Sequence, residues 1–155
     1  MRSEERGRIH SVYLGLGSNL GNREEHIRKA ISLIDERVGK VLRQSSLIET
    51  EPWGFESSNR FMNSVILCET TLTPREVLKA TQKIERELGR KKKSKAEGQK
   101  PTANGQQPRA NYKDRPIDID ILLYDDWQVD EPDLKIPHPL MQERDFVMIP
   151  LKEIQ

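Results

Sequence analysis

Asp118 and Asp120 alternate with isoleucines in the run Arg115-Pro116-Ile117-Asp118-Ile119-Asp120-Ile121-Leu122. A period of two is that of a half-buried strand, isoleucines on one face and carboxylates on the other. Carboxylates two residues apart on a strand stand roughly 6–7 Å apart at Cα and repel one another. A hard divalent cation relieves that repulsion, and Mg²⁺ takes carboxylate, water and phosphate oxygens. The same pattern suits the solvated face of an antiparallel strand, so spacing alone leaves both readings open. His138 lies between Pro137 and Pro139, in a rigid extended segment. Asn63 interrupts the apolar run Phe61–Thr70. A buried amide must be hydrogen-bonded, here either to backbone or to the polar edge of a ligand. Trp53 and Phe55 occupy a loop, where they either cap the core or form the wall for a flat ligand. Gln82 and Glu85 share one flank of a helix, which on its own reads as a solvated face.

Gly15, Gly17 and Gly21 resemble a phosphate-binding glycine loop but are spaced one residue too long for the dinucleotide fingerprint. No Lys-Ser/Thr pair follows them, which excludes a P-loop. The reading that remains is a tight strand-to-helix turn in which glycine permits close backbone approach. His26 has no Cys or His at ligand spacing, and Cys68 lies in an apolar run as a buried structural thiol.

The elements that must position these residues follow from periodicity. Residues 1–8 read as a flexible tail and 9–16 as a strand. Asn22 and Glu25 form an N-cap pair for a helix over 23–37, with Ile27, Ala30, Ile31 and Ile34 on its apolar stripe. A strand is expected over 41–50 and another over 61–70. Thr73-Pro74-Arg75-Glu76 is a capping box with proline at the first helical position, opening a helix that runs to Leu88 and stops at Gly89. Residues 90–114 are basic, then rich in Gly, Gln, Pro, Lys and Asn. They cannot bury enough surface to offset their ordering entropy and are expected to form a long mobile loop. The aspartate strand follows, then a turn at Asp125-Asp126-Trp127 and short extended pieces. A helical turn is placed at 141–144, and Phe146, Val147, Met148, Ile149 and Leu151 supply apolar contacts. The order β-α-β-β-α-β predicts an α+β, ferredoxin-like sandwich: a four-stranded antiparallel sheet, both helices on one face, and a C-terminal extension.

With 155 residues the chain is expected to be a single domain. Its 26 basic side chains are balanced by 25 acidic ones, so no global field favours nucleic acid or an anionic membrane. No apolar run reaches the ~18–20 residues of a membrane span, and the charged N-terminus lacks the apolar core of a signal peptide. A soluble, cytoplasmic protein is the expectation. The rival class is a non-catalytic binding module whose lysine run at 91–95 contacts nucleic acid; the balanced charge and scarce aromatics count against it.

Four stretches carry a family resemblance: Tyr13-Leu14-Gly15-Leu16-Gly17-Ser18-Asn19-Leu20-Gly21, Glu49-Thr50-Glu51-Pro52-Trp53-Gly54, Phe61-Met62-Asn63, and Arg115 to Leu122. Together with Ile136-Pro137-His138-Pro139 and Arg144-Asp145-Phe146, they resemble the 6-hydroxymethyl-7,8-dihydropterin pyrophosphokinases. The resemblance implies transfer of pyrophosphate from ATP to the pterin hydroxymethyl group, with release of AMP and two Mg²⁺ ions. It implies Asp118 and Asp120 as metal ligands and Thr50, Trp53, Phe61, Asn63 and Phe146 as the pterin site, with Phe61 and Phe146 as the stacking pair. Gln82, Glu85, Ile121, His138, Arg115 and Arg144 fall to ATP, and Arg90, Lys92 and Arg115 to catalysis at the phosphates. Small molecules would be the only partners, and a monomer the working form. The chain departs from the family's R-W-G-P-R segment: Asn111-Tyr112-Lys113-Asp114-Arg115 lacks the first arginine, has Tyr112 for the tryptophan and follows a long insertion.

Overall fold

A computed structural model describes residues 8–50, 60–90 and 116–155. The expectations for the N-terminal tail, for Trp53 and Phe55, for Lys92 and Arg115, for the 91–114 loop and for the side chain of Arg90 lie outside the described residues.

Among the described residues the main sheet holds β1 (His10–Ser18), β2 (Lys40–Gln44), β3 (Ile48–Thr50), β4 (Phe61–Thr70) and β5 (Asp118–Tyr124). The order is β2-β4-β1-β5, and β3 pairs with β4 ahead of β2 along the same edge. The sheet is therefore four strands wide and antiparallel in these pairings, as the element order predicts. This is the expected ferredoxin-like arrangement.

One expected strand is in fact two. Residues 41–50 break at Ser45–Leu47, where hydroxyls replace the regular ladder. Ser45 Oγ accepts the Val65 N–H at 2.9 Å, and the Ser46 N–H and Oγ donate to Glu153. Strand β1 is longer than predicted, because Gly17 and Ser18 pair with Asn63 and Met62 instead of turning.

The helices α1 (Arg23–Arg37) and α2 (Pro74–Glu85) cover one sheet face. Asn22 caps α1 by accepting the Glu25 N–H, and both arms of the Thr73/Glu76 capping box close on α2. Ile27, Ala30, Ile34, Val77 and Ile84 pack against Val12, Leu14, Leu16, Ile66, Ile119 and Ile121, and each fully buried aliphatic contributes about 1.5–3 kcal/mol of transfer free energy. Helix α2 gives way at Arg86 to a π turn through Arg90, in which Gly89 has φ 146° and lies against Pro116.

The C-terminal extension is a helix, α3 (Asp145–Ile154), which periodicity did not reveal because Pro150 sits inside it. It packs on the opposite sheet face, where Val147, Leu151 and Ile154 join Val65 and Leu122. A hairpin of β6 (Val129–Glu131) and β7 (Leu134–Ile136) precedes it. Cys68 is buried, and burial pushes its thiol up to about 12. No helix among the described residues is long and apolar enough to cross a membrane.

Candidate functional site

The register decides which side chains meet. Gly17 pairs with Asn63 on one side and Asp118 on the other; Gly15 pairs with Val65 and Asp120. Paired residues in an antiparallel sheet share a face. Gly15, Gly17, Asn63, Asp118 and Asp120 therefore stand on the face away from α1 and α2. Asn63 also pairs with Ile48, and Phe61 with Thr50, which brings the end of β3 to the same face. The helix α3 covers one end of this face and leaves the end holding Asn63 and Asp118 uncovered by helix among the described residues.

Asn63 is only 5% exposed and meets its hydrogen-bonding requirement through a side chain. Its Nδ2 donates to Thr50 Oγ1 at 2.8 Å. Gly17 is what makes room for this pair. A Cβ there would stand 2.8 Å from Asn63 Oδ1 and 3.4 Å from the Phe61 ring. The sequence signal was available: Gly17 and Asn63 are the small and polar interruptions of two strands that pair. The stems of the segment between β3 and β4 are tied by Arg23, which donates to the Arg60 carbonyl at 2.8 Å and pairs with Glu49. Nothing in the pattern of α1 singled out Arg23 for that role.

Asp118 and Asp120 are half-buried on the glycine-lined side of β5. Two carboxylates facing one way, opposite residues without side chains, fit a hydrated divalent cation. Among the described residues no three His, Cys, Asp or Glu groups gather as a metal cage. A cation here would take its other ligands from water or phosphate.

His138 is half-buried, and its N–H donates to the Leu122 carbonyl of β5 at 3.1 Å. Burial lowers its pKa below the ordinary 6.5, the Arg144 guanidinium lowers it further, and Asp118 opposes both. His138 thus belongs to the aspartate end of the face. Its folded pKa lies below the unfolded one, so the unfolded chain binds more protons between the two values. The stability contribution is complete above about pH 6.5 and is lost as pH falls through the folded value. Wild-type urea midpoints should fall between about pH 7.5 and 5.5, and His138→Asn should show a shallower fall. Parallel pH profiles for the two proteins would sink this assignment.

Arg144 precedes α3, its guanidinium carbon 5.4 Å from the centroid of the half-buried Phe146 ring. Thr50, Phe61, Asn63, Asp118 and Asp120 are thus assembled on one face; His138 is tied to β5 through the Leu122 carbonyl and feels the opposite charges of Asp118 and Arg144, and Arg144 stands against Phe146. The other three described residues expected at ATP differ in their surroundings. Ile121 is 5% exposed and points into the core under α1 and α2, so only its backbone can serve the aspartate face. Gln82 is exposed, whereas Glu85 is buried, so the two do not share a solvated flank. Glu85 Oε2 accepts the Ile119 N–H at 2.7 Å. Apart from these, His26 is half-buried in the first turn of α1 with its Nδ1 enclosed and without a hydrogen-bond partner.

Residues 13–155 match the family model described as 7,8-dihydro-6-hydroxymethylpterin-pyrophosphokinase (HPPK). A 2-amino-4-hydroxy-6-hydroxymethyldihydropteridine pyrophosphokinase of Porphyromonas gingivalis is 47% identical over 144 residues, covering 92% of this chain and 89% of its own. The enzyme of the same name from Bacillus subtilis is 37% identical over 144 residues, covering 92% and 77%. The crystal structure of wild-type Plasmodium falciparum HPPK-DHPS superposes with a TM-score of 0.68 at 14% identity, over 97% of this chain. The match spans 42% of that longer chain and speaks to the fold alone.

Proposed function

The chain belongs to the 7,8-dihydro-6-hydroxymethylpterin-pyrophosphokinase family, and on that premise we propose that the face shared by β1, β3, β4 and β5 is its active site. The protein is an ATP-dependent pyrophosphokinase of folate biosynthesis. It transfers pyrophosphate from ATP to the hydroxymethyl group of 6-hydroxymethyl-7,8-dihydropterin and releases AMP. The observation that carries the site is the register Asn63–Gly17–Asp118. It sets an amide suited to a pterin edge across one intervening strand, β1, from a carboxylate pair suited to a nucleotide's cation.

In this reading Asn63 and Thr50 hold the polar edge of the pterin, and Phe61 and Phe146, with Trp53, offer it aromatic surface. Asp118 and Asp120 hold two Mg²⁺ ions. Bound there, Mg²⁺ neutralises phosphate charge and acts as a Lewis acid on the phosphoryl oxygens. His138, neutral with Nδ1 turned to the Leu140 N–H, presents its Nε2–H to a phosphate oxygen. Arg144 adds positive charge on the same side, and Arg90, Lys92 and Arg115 complete the phosphate contacts, with Gln82 and the Ile121 backbone near the nucleoside. The pterin hydroxyl oxygen bonds to the β-phosphorus as the bond to the α-phosphate oxygen breaks, and AMP leaves. Charge grows on phosphoryl oxygens, so positioning and electrostatics supply most of the rate and no protein nucleophile is required. We read the protein as a soluble cytoplasmic monomer acting on small molecules.

AMP release from ATP, Mg²⁺ and the hydroxymethyl pterin tests the activity, and Gly17→Ala tests the site. The added methyl collides with Asn63, so KM for the pterin should rise about tenfold or more while ATP affinity stays near wild type. An unchanged pterin KM would remove Asn63 from the pterin site.

A further inference from the structure

Glu85 is the last residue of α2 and is 6% exposed. It extends a buried stripe otherwise made by Val77, Thr81 and Ile84. For stability alone a buried carboxylate is a poor choice, since an apolar side chain of similar volume serves as well or better. What Glu85 does hold is the N–H of Ile119, at 2.7 Å. Ile119 is the residue between Asp118 and Asp120. It lies on β5, which ends the strand order and has no further strand beyond it among the described residues. In an antiparallel strand the N–H and C=O of one residue point to the same side. Glu85 therefore grips the outer edge of β5 at the one residue that separates the two carboxylates. Immediately after Glu85 the helix enters its terminal turn, which ends at Gly89 (φ 146°), and Gly89 packs on Pro116, just ahead of Asp118.

We propose that Glu85 is a positioning residue: by holding the Ile119 amide it fixes the pitch of β5 and with it the separation and aim of Asp118 and Asp120. It is not grouped with them as a third acidic ligand among the described residues, so it acts through the strand. The inference rests on reading Asp118 and Asp120 as the cation-holding pair.

Two full-length variants separate reach from charge. Glu85→Gln keeps the reach and an acceptor oxygen but removes the charge; Glu85→Asp keeps the charge but falls short of Ile119. Two quantities are read: hydrogen exchange of the Ile119 amide without nucleotide or metal, and the Mg²⁺ concentration giving half-maximal AMP formation. Supports behind metal ligands typically change metal affinity by about 10–100-fold. Glu85→Asp should therefore need about tenfold more Mg²⁺ and exchange Ile119 about tenfold faster, with the pterin KM unchanged. Glu85→Gln should stay within about threefold of wild type in both. The reverse order, Gln impaired and Asp spared, would overturn the proposal in favour of a charge effect. Faster Ile119 exchange in Glu85→Asp with a wild-type Mg²⁺ requirement would also overturn it, leaving Glu85 a structural tie only. A wild-type Mg²⁺ requirement in Asp120→Asn would instead remove the premise, and it is recognised separately because it does not involve Glu85.

Discussion

Asp118→Asn and Asp120→Asn are each expected to lower kcat for AMP formation by about 10²–10³-fold while the protein stays folded. Asparagine keeps the shape of the side chain but replaces the charged, acceptor-only carboxylate with a neutral amide that has one acceptor oxygen and one donor nitrogen. Both positions are half-buried on the face that carries Asn63, and neither belongs to the two apolar clusters. Loss of half-exposed charge should move stability by less than about 1 kcal/mol in either direction. The Asn63–Thr50 pair on β4 and β3, which the proposed reading assigns to the pterin, is left intact, so pterin binding should be as before. Single-turnover AMP release and pterin titration, each with both variants, decide the matter. Near-normal turnover in either variant would rule out the two-carboxylate site, and loss of pterin binding would show that the two halves of the face are not separable.

Gly39→Ala should have the largest effect on stability. Gly39 joins α1 to β2 and lies flat against the backbone of β4. A Cβ there would fall 1.8 Å from the Glu69 carbonyl oxygen and 2.9 Å from Thr70 Cα. Neither atom can move aside cheaply. β4 is an inner strand flanked by β1 on one side and β2 and β3 on the other. Thr70 Oγ1 also donates to the Val38 carbonyl at 2.5 Å, fixing the same corner. A cost of about 3–5 kcal/mol follows, at the upper end of overpacking effects. For a domain of this size that is a drop of about 10 °C or more in Tm. A Tm within 2 °C of wild type would mean that the α1–β2 corner yields far more easily than its packing implies.

Much of this was legible before the structure. The alternation around Asp118 marks a strand with its carboxylates on one face, and the cap residues Asn22 and Thr73 mark the starts of α1 and α2. Local chemistry of that kind is written in neighbouring residues. What stayed hidden depends on partners far apart in the chain. The serine break at residue 45 is stabilised by Val65 and Glu153, neither visible from a window around it. Glu85 looked like half of a solvated flank because its partner, the Ile119 N–H, is a backbone group that no side-chain pattern advertises. Helix α3 was masked by Pro150, which breaks the propensity signal while the apolar face of Val147, Leu151 and Ile154 still finds its cover on the sheet.

The pairing of Gly17 with Asp118 also bears on how the protein comes to be active. It joins the first strand of the sheet to the last, across about a hundred residues of intervening chain, and contacts so distant in sequence form slowly because the closure entropy is met before they stabilise anything. In the proposed reading, the part of the pterin pocket made by β1, β3 and β4 can assemble from the first half of the sequence, whereas Phe146 comes only with the C-terminal helix. The acidic half arrives only with β5. A refolding chain should therefore form the Asn63–Thr50 pair before it sets the two carboxylates beside Gly15 and Gly17, and a polypeptide still lacking β5 has no Asp118–Asp120 pair at all.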